Sequence, residues 1–212
     1  NFLRTHMSAQ TTFVIHALET HNGRLDKEAI VEAQAKESND IFFEGVRLAL
    51  DPMVTFGVKK VPKHGGPDGQ GLPWPAFRAL ADSLSTRQLT GDAARDAIEL
   101  CLKSAKKTEW NDWYLRILTK DLRCGISEKT LNKVLENTDW AIPVFTCQLA
   151  TDSNDHQSKM KGQKRIECKL DGVRVLAVVS SATTLLYSRN GKPFDNFPQV
   201  ANAIDDIKRK LS

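Results

Sequence analysis

Glu167, Cys168, Lys169, Leu170, Asp171, Gly172, Val173 and Arg174 are consecutive in the chain. On an extended strand, side chains alternate between faces, so Glu167, Lys169 and Asp171 share one. Gly172 then permits a tight turn and close approach of another group to the backbone. Arg174 opens the return strand with a planar fork suited to phosphate or ribose oxygens. An amine between two carboxylates has two readings. One is a surface ladder of ion pairs, common and worth little. The other is a lysine nucleophile, which must shed its proton although its unperturbed pKa is ~10.4. Burial and nearby cations would favour the neutral amine. Asp171 either takes part in that chemistry or orients Lys169.

Three other stretches carry chemistry-bearing residues. Ser188-Arg189-Asn190-Gly191 closes a predicted strand and, alone, would be an ordinary hairpin end. In Lys120-Asp121-Leu122-Arg123-Cys124-Gly125-Ile126-Ser127, Gly125 and Ser127 fall between two predicted helices. Backbone N–H groups at the start of the second helix can hold a phosphate. Lys120, Arg123 and Lys129 add positive charge there. The same glycine and serine also suit a C-cap and an N-cap, and the two roles use the same groups. The loop with Lys59, Lys60, Lys63 and His64 is basic and rich in helix breakers. It reads equally as a solvated turn or a second polyanion patch.

Lys-x-Asp-Gly-x-Arg after a strand resembles the nucleotidyl-transfer motif of ATP-dependent DNA ligases, shared with RNA ligases and mRNA-capping enzymes. Ser188–Gly191 resembles that family's next motif. The Lys120–Ser127 segment resembles the helical DNA-binding domain of DNA ligases, which RNA ligases and capping enzymes lack. Lys59-Lys60-Val61-Pro62-Lys63 and Arg87-Gln88-Leu89-Thr90-Gly91 resemble the T-even-phage type in particular, and the likeness runs from about residue 13 to 198. It implies that Lys169 attacks the α-phosphate of ATP, with Mg2+ required, and carries AMP toward a nick in duplex DNA. It implies that Glu167 contacts the adenine amino group, Arg174 the ribose side and Arg189 the reacting phosphate, with Asp171 and Gly172 supporting the motif. DNA contacts are expected from Lys120, Arg123, Gly125, Ser127 and Lys129, and from Lys59, Lys60 and Lys63. The family's acidic metal ligands, paired triphosphate-gripping lysines and oligonucleotide-binding-fold domain fall beyond Ser212. No metal ligand is therefore expected within the chain, and the chain alone is expected not to seal nicks. The alternative is a non-catalytic duplex-binding module followed by an inert catalytic stub. DNA repair, replication and recombination are the processes such a protein would serve.

The elements that must position these residues change character along the chain. Apolar spacing of a helical kind recurs after Thr12, Asp26 and Asn39, after Pro75, over 93–105, over 110–122 and after Ser127. Trp110 and Trp113 share a helix face and read as core, Trp74 fits either core or stacking, and His16 and His21 show no ligand pattern. From about Trp140 the pattern shortens: 141–149 extended, 151–164 a polar loop, strands at 165–169, 173–179 and 184–188, and a helix over 197–211. The fold expected is an all-α domain over 13–138, then the beginning of an α+β, antiparallel-sheet nucleotidyltransferase domain over 139–212. Residues 1–12 are expected to be a tag or disordered.

Composition fits that reading. The 212 residues are 41% hydrophobic and 26% charged, enough for a core and against wholesale disorder. The net charge of +4 is by itself a weak pointer to polyanions. Four cysteines lack metal-ligand spacing, and no export signal accompanies them, so reduced thiols in an intracellular monomer are expected, in a bacterial host's cytoplasm if phage-derived. No apolar run approaches the ~20 residues of a membrane span.

Overall fold

The computed structural model describes residues 2–136, 138–144, 152–165, 168, 172–180 and 184–211. The chain divides into two compact units, Asn1–Pro143 and Val144–Ser212.

The regular elements described in the first unit are all helical: α1 (Phe2–Thr20), α2 (Arg24–Lys36), α3 (Asp40–Leu50), α4 (Trp74–Ser85), α5 (Gly91–Ser104), α6 (Lys107–Glu109), α7 (Leu115–Leu118) and α8 (Glu128–Leu135). α1 begins at Phe2, well before the start read at Phe13. Its core-facing set is Thr11, Val14, Ile15 and Leu18, one face of a helix. Local chemistry sets several helix starts. Asn39 accepts a hydrogen bond from the Phe42 N–H at 3.2 Å, capping α3. Pro75 sits in the first turn of α4, where its missing N–H costs nothing. Ser127 caps α8 by accepting from the Thr130 N–H.

α6 and α7 are joined without a break by a π-helical segment, Trp110–Tyr114, in which the Leu115 N–H reaches back to the Trp110 carbonyl. This run is the axis of the unit. Trp110, Trp113, Tyr114 and Ile117 are wholly buried, and the Trp113 ring stacks on Phe42. Trp74 also belongs to the core, its indole N–H donating to Glu44 at 2.5 Å. Gly45 in α3 lets Trp113 pass close: a Cβ there would lie 2.1 Å from the indole Cζ2.

The helix expected to reach residue 122 ends at Leu118. Lys120 takes a left-handed φ of 60°. Its N–H bonds to the Ile117 carbonyl, and the Asp121 N–H bonds to Arg116, both at 3.0 Å. This is the Schellman closure, here with lysine where glycine is usual.

The long connection 51–73 is not simply solvated. His64 is buried, with its backbone N–H and carbonyl both bonded to the Asn111 side chain. The Trp110 indole donates to the Pro62 carbonyl at 2.9 Å, and the Tyr114 hydroxyl to Leu72 at 2.6 Å.

In the second unit, β1 (Val175–Val179) pairs antiparallel with β2 (Thr184–Ser188), Val175 opposite Ser188. α9 (Pro198–Leu211) packs on β2, with the Thr184 hydroxyl donating to Asp205 at 2.6 Å. The polar stretch 151–164 holds a 3-10 helix, Ser153–Met160, kinked at His156. Residues 145–149 of the extended stretch read at 141–149, and most of the strand read at 165–169, lie outside the described residues. The fold is therefore an all-helical unit followed by the start of an α+β unit with an antiparallel sheet.

Candidate functional site

The junction after α7 alternates like a strand. Leu122, Cys124 and Ile126 are buried, while Asp121, Arg123 and Gly125 are exposed. Left-handed φ values recur at Lys120, Arg123 and Gly125 (60°, 54° and 65°). Non-glycine residues rarely adopt that conformation unless their surroundings impose it.

Here the surroundings are cations bonded to backbone carbonyls. Arg116, buried between Glu19 (2.5 Å) and Asp112 (3.3 Å), donates to the Leu122 carbonyl at 3.0 Å. Lys27, on α2, donates to the Cys124 carbonyl at 2.8 Å. Lys120 sends its ammonium across to α3, donating to the Leu48 carbonyl at 2.9 Å and the Asp51 carbonyl at 2.6 Å, with the Phe56 ring 5.9 Å away. A cation at a helix C-terminus meets the negative end of the dipole and unfilled carbonyls.

Lys120 is half-buried, and its ammonium ties the end of α3 to the junction. Arg123 is exposed with Asp121 3.6 Å from its Nε, Lys129 is exposed, and Ser127 is half-buried as the cap of α8. Lys59, Lys60 and Lys63 are exposed on the clamped 51–73 connection. Lys27 and Arg116 escape sequence reasoning. Their partners are distant in the chain or hidden in backbone groups, and no local pattern marks them.

Of the Glu167–Arg174 segment, Glu167, Lys169 and Asp171 lie outside the described residues. Gly172 and Arg174 are exposed just before β1, and Arg189 is exposed just after β2. The register ends with Val175 opposite Ser188, so Arg174 and Arg189 flank the same end of the ribbon, Arg189 as the first residue of the Ser188–Gly191 turn. The Ser188 hydroxyl organises the turn beyond, accepting from the Asn190 and Lys192 N–H groups at 3.3 and 3.1 Å. Gly191 there has a φ of 78°. Among the described residues, no three His, Cys, Asp or Glu side chains gather as a metal site, and no helix is long and apolar enough to cross a membrane.

The chain, a helical unit followed by a smaller unit with an antiparallel ribbon, is similar to part of known DNA ligases. The chain is 26% identical over 172 residues to the DNA ligase of Enterobacteria phage T4, covering 78% of this chain and 34% of that protein. The same figures hold for the DNA ligase of Enterobacteria phage T6. Among solved structures, Pmar-Lig_PreS3 matches with a TM-score of 0.85 and 50% identity over 94% of this chain, and Pmar-Lig_Pre with 0.84 and 49%. The chain spans about a third of the phage ligases and 46% of each solved chain. No family model matches.

Proposed function

We propose that this chain belongs to an ATP-dependent DNA ligase that seals nicks in duplex DNA through a lysyl-AMP intermediate. The first unit holds the duplex through its phosphates, and the second carries the nucleophile, Lys169. The observation that best supports the second role is the Val175–Ser188 pairing that follows the Lys-x-Asp-Gly motif, with Arg174 and Arg189 flanking that end of the ribbon.

In the proposed reaction, the neutral Lys169 amine forms a bond to the α-phosphorus of ATP and pyrophosphate leaves. The 5′-phosphate at the nick then takes the AMP from lysine. The 3′-hydroxyl attacks that activated phosphate and AMP departs. Phosphoryl transfer is mainly positioning and charge neutralisation, to which the two guanidinium groups contribute. Glu167 reads the adenine amino group, Arg174 holds the ribose side, and Arg189 faces the reacting phosphate. Magnesium belongs to this proposal as a requirement of the reaction, but the described residues offer no cluster to hold it and no step is assigned to it.

The test is incubation with labelled ATP and magnesium, followed by a denaturing gel. In a chain extended through the whole catalytic region, label on the protein is expected, and neither Lys169→Ala nor Lys169→Arg should acquire it, because guanidinium does not give up its proton. An adduct on either variant at the unmodified rate would displace Lys169 as nucleophile. The 212-residue chain alone is expected not to seal nicks at catalytic turnover. If it binds duplex DNA but the extended chain takes no label, the binding-module reading replaces this one.

A further inference from the structure

We infer that Lys27 is a positioning residue for DNA binding: its ammonium, bonded to the Cys124 carbonyl, holds the Arg123–Gly125 backbone in the shape that presents Arg123 to a phosphate. The inference rests on the proposed use of the 120–129 junction as the duplex-binding surface.

Lys27 lies on α2, far in sequence from the junction, yet it reaches the carbonyl between Arg123 and Gly125 at 2.8 Å. Those two residues are both left-handed. For arginine that conformation is disfavoured; within the loop the Arg123 N–H donates to the Asp121 carboxylate at 3.1 Å, and the remaining hold comes from outside. Leu122 and Ile126 anchor the flanks by burial, and Arg116 holds the Leu122 carbonyl. At the turn itself the Cys124 carbonyl is held by Lys27. Gly125 completes the fit: a Cβ there would lie 2.3 Å from the Lys27 Nζ. The glycine is needed for its φ and also for the space in which the ammonium sits. The arrangement leaves Arg123 outward, on the same side as the exposed Gly125.

A residue acting this way has a signature that a general stabiliser lacks. Removing it should abolish the contact made by Arg123, so the two substitutions should not add. The experiment is a salt titration of binding of the 212-residue chain to a nicked duplex, for Lys27→Met, Arg123→Ala and the double variant. Methionine keeps the unbranched stem and helix propensity of α2, and circular dichroism with thermal unfolding verifies that each variant is folded at the titration temperature. Each single variant is expected to bind about tenfold more weakly at low salt, the scale of one charged hydrogen bond. Each should lower the log–log salt slope by roughly one unit, the value of one phosphate contact. The double variant should be no weaker than either.

Lys27→Arg, which restores a donor cation, should recover most of the affinity. If the effects instead add, Lys27 touches DNA independently and the positioning role is wrong. If Arg123→Ala weakens binding and Lys27→Met does not, the inference fails while the junction keeps its proposed role. If neither substitution changes the slope, the DNA surface lies elsewhere and both readings fall. Should Lys27→Met not fold, Gly125→Ala tests the same contact from the other side. It should displace the ammonium and lower the slope like Arg123→Ala, and an unchanged slope would overturn the inference.

Discussion

Lys120, an expected DNA contact, also serves the fold. Its ammonium bonds two carbonyls at the end of α3, and hydrogen bonds to a charged group are worth about 1.5–3 kcal/mol when shielded. The lysine is half-exposed, so Lys120→Met should cost about 1–2 kcal/mol after discounting for solvent. Urea unfolding should show this as a lower midpoint with an unchanged slope. Tyr114 gives a pH test. Burial first, then the nearby Glu109 and Cys101, push its pKa far above the ordinary tyrosine value. Because the folded pKa is raised, its contribution is complete below the unfolded pKa of about 10 and is lost as pH climbs beyond it. Stability should therefore fall above pH ~10, and Tyr114→Phe should flatten that fall while costing about 1 kcal/mol for the bond to Leu72. Among the thiols, Cys168 is exposed, whereas burial raises the Cys124 pKa against the lowering influence of the Ile126 N–H, Lys27 and Arg116. A thiol reagent at neutral pH should mark Cys168 well before Cys124, as peptide mass analysis would record.

At the scale of elements, α3 and the π-helical segment touch where Gly45 faces Trp113. Two effects oppose each other in Gly45→Ala. Helix propensity favours alanine by about 1 kcal/mol. The new Cβ would sit 2.1 Å from the Trp113 ring and 2.9 Å from Ile117 Cδ1, inside a packed core. Overpacking of that kind costs roughly 1–3 kcal/mol or more, so the clash wins and the melting temperature should drop. An equal or higher melting temperature would mean that the tryptophan has room to move. The elements themselves are largely legible in the sequence where a local cap announces them. Asn39 and Ser127 mark α3 and α8, Pro75 marks α4, and β2 occupies the residues its alternation predicts. The end of α7 is hidden because lysine occupies the left-handed position at which glycine would have signalled a stop. The 51–73 connection looks solvent-facing from its sequence because its clamps, Trp110 and Asn111, are remote in the chain.

For the whole molecule, the division into two units has a consequence for binding. Residues 1–143, expressed alone, should fold cooperatively with the helical content of the first unit and retain duplex binding with little sequence preference, since phosphate contacts carry no direct sequence information. Competition between nicked duplexes of unrelated sequence should leave affinity unchanged within a few-fold. Strong preference for one sequence would point to base-edge contacts and away from a phosphate-bound surface. The candidate site is legible to unequal degrees. Arg174 and Arg189 stand in motifs whose spacing can be read directly, and the ribbon register adds their common position. Lys27 and Arg116 act on carbonyls, which every residue possesses, so their role emerges only when the chain is folded.

The fit between Lys27 and Gly125 also constrains how such a chain can change over generations. A side chain at 125 meets the lysine before it meets anything else. Asparagine, the non-glycine residue that best tolerates left-handed backbone, would enter at 125 by swinging the flexible ammonium off the Cys124 carbonyl, losing that bond. A short residue at 27 has no such bond to lose. Replacement along this lineage should therefore favour one order: 27 first, 125 second. A paired library at the two positions, selected for folding, should recover Gly125→Asn chiefly beside small residues at 27. Recovery of Gly125→Asn at equal frequency beside an unchanged Lys27 would show that the ammonium can vacate its seat without penalty.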